Sequence, residues 1–330
     1  MTLHGSGIDE TVSRRDLLRS VVLTAAALAL PGQLAACRKG SPPHDPRRER
    51  LDPDLERLTN WTEKLHAEGL TGPETPLGRS VIRVGELAVG TPYVPFTLEA
   101  YLKSGGSPLR EPLTLSLTRF DCVTLVESCL AVARVAGHEG AATWERFGRE
   151  IERMRYRGGE RRGYTSRLHY FSEWITDGEQ RGLVKDLGAE LGGAEDARPL
   201  RFMTEHRAKY TALADDGVFR EIETIERTIS RHPRRVIPTK RIPEVVNRIE
   251  TGDVLAFATE IPGLDVTHAA FAHRSADGIL RVLHAPLSGG VVEVTRRTLP
   301  EYVAAIRRST GILVARPLRT ENGTGLSPDG

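Results

Sequence analysis

The stretch that opens at Asp121 constrains this chain more than any other. Cys122, Leu125, Val126, Cys129, Leu130 and Ala133 recur at i, i+3, i+4, i+7, i+8 and i+11, the stripe of a helix that must bury one face. Asp121 suits the N-cap position, because its carboxylate can accept the first backbone N–H groups. Cys122 then falls in the first turn, where unpaired amides and the positive end of the helix dipole favour a thiolate. Residue type and position match a nucleophile. The competing reading makes Cys122 only the first member of the core stripe, and Cys129 fits that description better. Seven residues of helix separate the two by about 10 Å, too far for a disulfide.

Downstream, four short segments read as an antiparallel meander: Val254 to Thr259, Thr267 to His273, Leu280 to Ala285 and Val291 to Thr295. His268 and His284 lie on neighbouring strands of it. Direct pairing of the two requires an odd-length loop such as Arg274 to Gly278, and it puts both rings on one face. His273, an odd number of residues from His268, points to the other face as a surface residue. Upstream, Thr75-Pro76 opens a helix and Gly90-Thr91-Pro92-Tyr93 forms a turn that presents Tyr93. An imidazole held by a second polar group, facing a cysteine at a helix start, is what acyl transfer by sulfur requires. His268 would take the thiol proton and His284 would fix its tautomer. The expected fold class is α+β, with the nucleophile helix packed on the antiparallel sheet.

Composition bounds the rest. Forty-six Lys and Arg against 44 Asp and Glu give a formal charge of +2, which argues against nucleic acid held by bulk electrostatics. Cysteines at 37, 122 and 129 are too few for a disulfide scaffold or a four-ligand zinc site. No apolar run reaches the roughly 18 to 20 residues that span a bilayer. At the N-terminus, Ser13-Arg14-Arg15-Asp16-Leu17-Leu18, the apolar stretch Val21 to Leu30 and Leu34-Ala35-Ala36-Cys37 follow in order. Residues 1–37 thus resemble a twin-arginine export signal ending in a lipoprotein cleavage box. That resemblance implies passage through the twin-arginine translocon and acylation of Cys37, which would hold the protein to a bacterial membrane on its extracytoplasmic side. Residues 38–54, charged and rich in proline, read as a linker, residues 55–318 as one catalytic domain and residues 319–330 as a tail.

Gly90-Thr91-Pro92-Tyr93, Asp121-Cys122, Gly252-Asp253, Thr267-His268 and Leu283-His284-Ala285 resemble, in order, the motifs of NlpC-type, papain-like cysteine hydrolases of bacterial cell walls. Phe120 to Glu127, Arg155-Tyr156-Arg157-Gly158, Tyr164 to Tyr170 and Gly263 to His268 resemble more closely the N-acetylmuramoyl-L-alanine amidase-like branch, from about Arg79 to Ala315. Ala269-Ala270 departs from the commoner Val-Gly pair after the first histidine. The resemblance implies a papain-like core carrying a large insertion and hydrolysis of the amide between the lactyl group of N-acetylmuramic acid and L-alanine. It makes Cys122 the nucleophile, His268 the base and His284 its orienter, with Tyr93 and Asp121 beside them and no metal or cofactor needed. Peptidoglycan or muropeptides would be the substrate. The insertion, after about Glu152 and before Thr251, should shape specificity through Arg167, His169 and Tyr170, whereas Trp174 reads as core. Two other functions fit the same chain: an endopeptidase cutting between D-glutamate and the diamino acid of the stem, and an idle wall-binding lipoprotein.

Overall fold

The computed structural model describes residues 52–286 and 290–319. Cys37 and the rest of the expected export signal lie outside the described residues. Ten helices are used below: α1 (Pro53–Ala67), α2 (Leu77–Leu87), α3 (Ala100–Lys103), α4 (Cys122–Gly137), α5 (Trp144–Arg155), α6 (Phe171–Gln180), α7 (Phe202–Glu205), α8 (Asp216–Ile229), α9 (Ile242–Val245) and α10 (Leu299–Ala305). The strands are β1 (Val184–Asp186), β2 (Ala194–Asp196), β3 (Arg234–Pro238), β4 (Val254–Thr259), β5 (Val266–Arg274), β6 (Leu280–His284), β7 (Glu293–Val294) and β8 (Ser309–Pro317).

All strands pair antiparallel in one sheet of order β2-β3-β8-β4-β5-β6-β7, with β1 beside β3 along the same edge of β8. Strict alternation divides β4 and β5 between two cores. Val254, Ala256, Ala258, Ala269 and Phe271 face the helices α1, α2, α4, α5 and α6. Leu255, Phe257, Ala270 and Ala272 face α9 and α10. The protein is therefore a mixed fold of helices on an antiparallel sheet, with the strongest helix on one face.

That helix is α4, and it is buried far beyond one stripe. Thirteen of its residues, Thr124 to Ala136 without a break, are buried. The sequence shows a stripe because its charged members, Glu127 and Arg134, look like an exposed face; both instead find partners inside, Glu127 with Arg155 Nε at 2.7 Å and Arg134 with the Leu183 carbonyl at 2.7 Å. Cys129 is fully buried in the same core.

Three expectations need correction. The first helix begins at Pro53 inside the segment read as linker, because Asp52 caps it and Leu58, Trp61 and Leu65 pack into the core. Arg319 is not tail: its Nε donates to the Thr75 carbonyl at 2.8 Å. The long segment before Thr251, read as an insertion that shapes specificity, is also part of the scaffold, since β1, β2 and β3 extend the main sheet. It also carries a third, smaller core around Tyr164, Tyr170, Leu200, Met203, Leu213 and Ile222.

The Gly252-Asp253 pair has a mechanical explanation. Gly252 has φ +87° and abuts the Gly78 backbone of α2 so closely that a Cβ would overlap it. Asp253, fully buried, accepts from the Glu250 amide and from Arg316 Nε at 2.9 Å. Gly252→Ala adds a left-handed penalty of about 1–2 kcal/mol to that overlap and should destabilise the protein by at least about 2 kcal/mol in a denaturant titration. A loss under half of that would show that α2 can move away from this turn.

Candidate active site

Cys122 is the first residue of α4, and its position is fixed by a reciprocal cap. Asp121 Oδ1 accepts from the Thr124 amide at 2.8 Å, and the Asp121 amide donates to Thr124 Oγ1 at 2.8 Å. The half-buried thiol lies against the backbone amide of Ala269, which follows His268 in β5. The strand that carries the first histidine is thus the strand the cysteine touches. Among the described residues, neither histidine ring is hydrogen-bonded to the thiol.

His268 and His284 meet, though not in the expected register. Strands β5 and β6 pair Arg274 with Leu280 and Phe271 with Leu283, so the loop runs from Ser275 to Ile279. It is odd in length, as direct pairing required, but begins one residue later. His284 consequently stands opposite Ala270, and the two rings meet on the diagonal, on the same face. His268 Nε2 is 2.8 Å from His284 Nδ1. The Phe257 ring stacks on His268 at 5.7 Å.

His284 Nε2 stands 3.6 Å from Glu293 Oε1, beyond hydrogen-bond reach, whereas its Nδ1 meets His268 Nε2 and, at 3.3 Å, the Tyr302 hydroxyl. Which ring donates across the His268–His284 contact depends on their tautomers, and His268 Nδ1 is the ring nitrogen not engaged there. Sequence reading found both histidines but neither Tyr302 of α10 nor Glu293 of β7, because these close the far side of His284 only through tertiary packing. His273 is on the opposite face, as expected, but it is tied to Glu86 Oε1 at 3.0 Å.

Electrostatics overturn one expectation outright. The helix start was to favour thiolate; instead burial first, and the Asp121 carboxylate second, push the Cys122 thiol up to about 12, against the opposing pull of the Ala269, Val123 and Cys122 amides. Burial pushes His268 down to about 4, and burial with the neighbouring His268 takes His284 to about 3. Thiol and imidazoles are all neutral at rest; the two imidazoles meet each other against Phe257 and Tyr302, and the described residues lining the cleft of Cys122 include neither of them.

Cys122 opens into a cleft of about 400 Å³ lined also by Tyr93, Asp121, Arg167, His169 and Tyr170, so the five residues read as substrate-binding are all on its walls. Their tasks differ. Asp121 caps α4. Burial, together with Cys122 and Asp121, raises the Tyr93 hydroxyl well above its ordinary range and keeps it protonated. Arg167 is buried and already paired with Glu99 Oε1 at 2.7 Å and Glu111 Oε1 at 3.2 Å, so its guanidinium is committed to the wall. His169 Nε2 meets the Tyr164 carbonyl at 2.8 Å, and the Tyr170 hydroxyl donates to Glu226 Oε1 at 2.6 Å. Trp174 is core, stacked on Phe171 at 4.9 Å. Among the described residues no group of three or more His, Cys, Asp or Glu could hold a metal ion, and no helix is long and apolar enough to cross a membrane.

A cysteine-bearing cleft on a helix-and-antiparallel-sheet fold defines the class; comparison with known proteins gives the family. The N-acetylmuramoyl-L-alanine amidase-like family model matches residues 83–312, and the chain belongs to that family. Two crystal structures of an N-acetylmuramoyl-L-alanine amidase from Bacteroides uniformis are similar at 28% and 30% identity, with TM-scores of 0.66 and 0.67, each covering 73% of this chain and 98% or 99% of their own. A crystal structure described as a putative xylanase from Bacteroides fragilis is 32% identical, with a TM-score of 0.64, covering 71% of this chain and 99% of its own. None of the curated proteins matches.

The depressed histidines have a testable sign. A histidine whose folded pKa lies below its unfolded value of 6.5 supports the fold above that pH and loses this support as pH falls toward about 4. Buried carboxylates such as Glu127 are raised and act in the opposite direction, so the measurement must be a difference. Stability of the wild type relative to His268→Gln should decline between pH 6.5 and 4, read by urea unfolding at each pH. A difference that stays flat across that window would sink the neutral-imidazole assignment.

Proposed function

We propose that this protein is a cysteine-dependent N-acetylmuramoyl-L-alanine amidase built on an NlpC-type, papain-like core. The observation that carries the reading is the family match over residues 83–312 together with Cys122, capped at a helix start, opening into the cleft. Cys122 Sγ adds to the lactyl carbonyl carbon while His268 Nδ1 takes the thiol proton. The C–N bond breaks as that proton passes to the departing L-alanine nitrogen, leaving a thioester on Cys122. Water, deprotonated by the same imidazole, then releases the lactyl carboxyl group and restores the thiol. Because thiol and imidazole are both neutral at rest, proton transfer accompanies attack. The Cys122 amide and the protonated Tyr93 hydroxyl are suited to receive the developing oxyanion. His284 acts on His268 alone, holding its tautomer.

Peptidoglycan or its muropeptides would be met outside the cytoplasm, with the protein exported by the twin-arginine route and held to a membrane by acylated Cys37. Cys37→Ser should abolish incorporation of labelled fatty acid; labelling that persists in this variant rules the anchor out.

Cys122→Ala should remove turnover and leave the fold intact, whereas Cys129→Ala should retain turnover and lose on the order of 1 kcal/mol of stability. His268→Ala should be nearly inactive, and His284→Gln, which can still accept one hydrogen bond, should keep a measurable fraction. Mass spectrometry of muropeptide digests reads the bond cut: free stem peptide beginning at L-alanine is expected. Fragments ending at D-glutamate would assign the stem endopeptidase instead.

A further inference from the structure

Phe96 holds a backbone conformation that a bulky residue rarely adopts, φ +60° and ψ +28°, in the left-handed region. Its neighbours force it there. On one side the Tyr93 and Val94 amides donate to the Gly290 and Phe120 carbonyls at 2.8 Å each. On the other, the short turn Thr97–Glu99 buries Leu98 and ends in Glu99, which is held by Arg167. The bend between these anchors falls on Phe96, and the result is an aromatic ring 41% exposed where the cleft of Cys122 opens. An exposed ring gains little from burial, and glycine would adopt the same backbone without strain. Strain of this kind, kept at a site, points to a task for the side chain.

We infer that Phe96 is a stacking platform for the pyranose ring of the substrate's N-acetylmuramoyl group, an inference that rests on the amidase reading above. The substrate has two halves joined at the scissile amide. Its peptide half is polar and charged, and the Glu99, Arg155, Arg167 and His169 part of the lining sets a polar, internally paired wall against it. Its sugar half carries no charge, because the lactyl carboxyl is tied up in the amide. Exposed Pro95 and Phe96 present apolar surface instead, and the C–H face of a pyranose can lie against an aromatic ring. Lys103 Nζ stands 5.6 Å from the Phe96 ring centroid and steadies the platform by a cation–π contact.

The test compares two ligands that share the scissile amide, a muramoyl-dipeptide and the corresponding lactoyl-dipeptide without the sugar, binding to full-length protein carrying Cys122→Ala. Adding Phe96→Ala should weaken the muramoyl ligand about tenfold, and at least about fivefold more than it weakens the lactoyl ligand. Phe96→Trp should restore most of the difference. Equal weakening of both ligands, or no weakening of either, overturns the platform, as does failure of the unmutated cleft to bind the muramoyl ligand more tightly than the lactoyl one. Thermal melts separate the strain: Phe96→Gly should melt above Phe96→Ala, and equal melts would remove the backbone argument. Turnover of the muramoyl-dipeptide by the protein with Cys122 intact is followed alongside. No cleavage at the lactyl amide, with the sugar-dependent binding difference present, would sink the amidase reading and leave the platform standing.

Discussion

A helix buried on every side must still satisfy the amides of its first turn, and here the Asp121–Thr124 cap does so at the one place where α4 reaches a cleft. Everything around the site is referred to that point. Helices α1, α2 and α5 and strand β5 pack on α4, so the helix cannot shift without disturbing the largest core. Its first residue is consequently held against β5 as firmly as the core itself. A cysteine on an exposed helix would have the same amides nearby but no fixed partner. The placement of Cys122 is a by-product of packing, and the cap is what lets the packed helix end at a polar opening.

The same burial decides the charge state of the site, and magnitudes show why. A helix terminus is worth about 0.3–2 kcal/mol to a neighbouring charge, at most about one and a half pKa units. Full desolvation moves a titratable group by up to about 3–5 units. With Asp121 beside it adding negative charge, Cys122 is raised even though three amides pull the other way. The cap that positions Cys122 thus opposes its ionisation. Burial also keeps His268 neutral, so that thiol and imidazole share an uncharged resting state.

How much of this could be read from the sequence depended on whether the signal was local. The start of α4 at Asp121 and the four strands of the meander are written in short-range patterns of 3.6 and 2 residues, and they appear within a residue or two of where those patterns put them. The pairing of His268 with His284 followed from parity alone, although the register slipped to the diagonal. Strands β1 and β2 left no trace, because three-residue segments such as Val-Lys-Asp carry no alternation and owe their conformation to the edges of β8 and β3. Tyr302 and Glu293 were invisible for a related reason: they touch His284 only once α10 and β7 have docked. The thiol's raised pKa was misjudged because a sequence shows the helix start and not the burial.

Arg167 shows what the packed cleft wall implies for recognition. Read in sequence, it was a residue shaping specificity; in the fold, Glu99 and Glu111 already surround it. Breaking a buried pair to bind substrate would strand a carboxylate without its cation, which is strongly destabilising. The wall is better regarded as prearranged. Glu226 extends the same logic, accepting from the Tyr170 hydroxyl and from the Met203 amide at 3.0 Å, so that α8 holds both the 164–170 segment and α7 in place. Since β3, which follows α8, belongs to the main sheet, the residues lining the cleft and the sheet carrying the histidines form one continuous packed body. Substrate therefore meets a cleft whose buried guanidinium is already ion-paired and held in place, and binding does not have to supply its ordering.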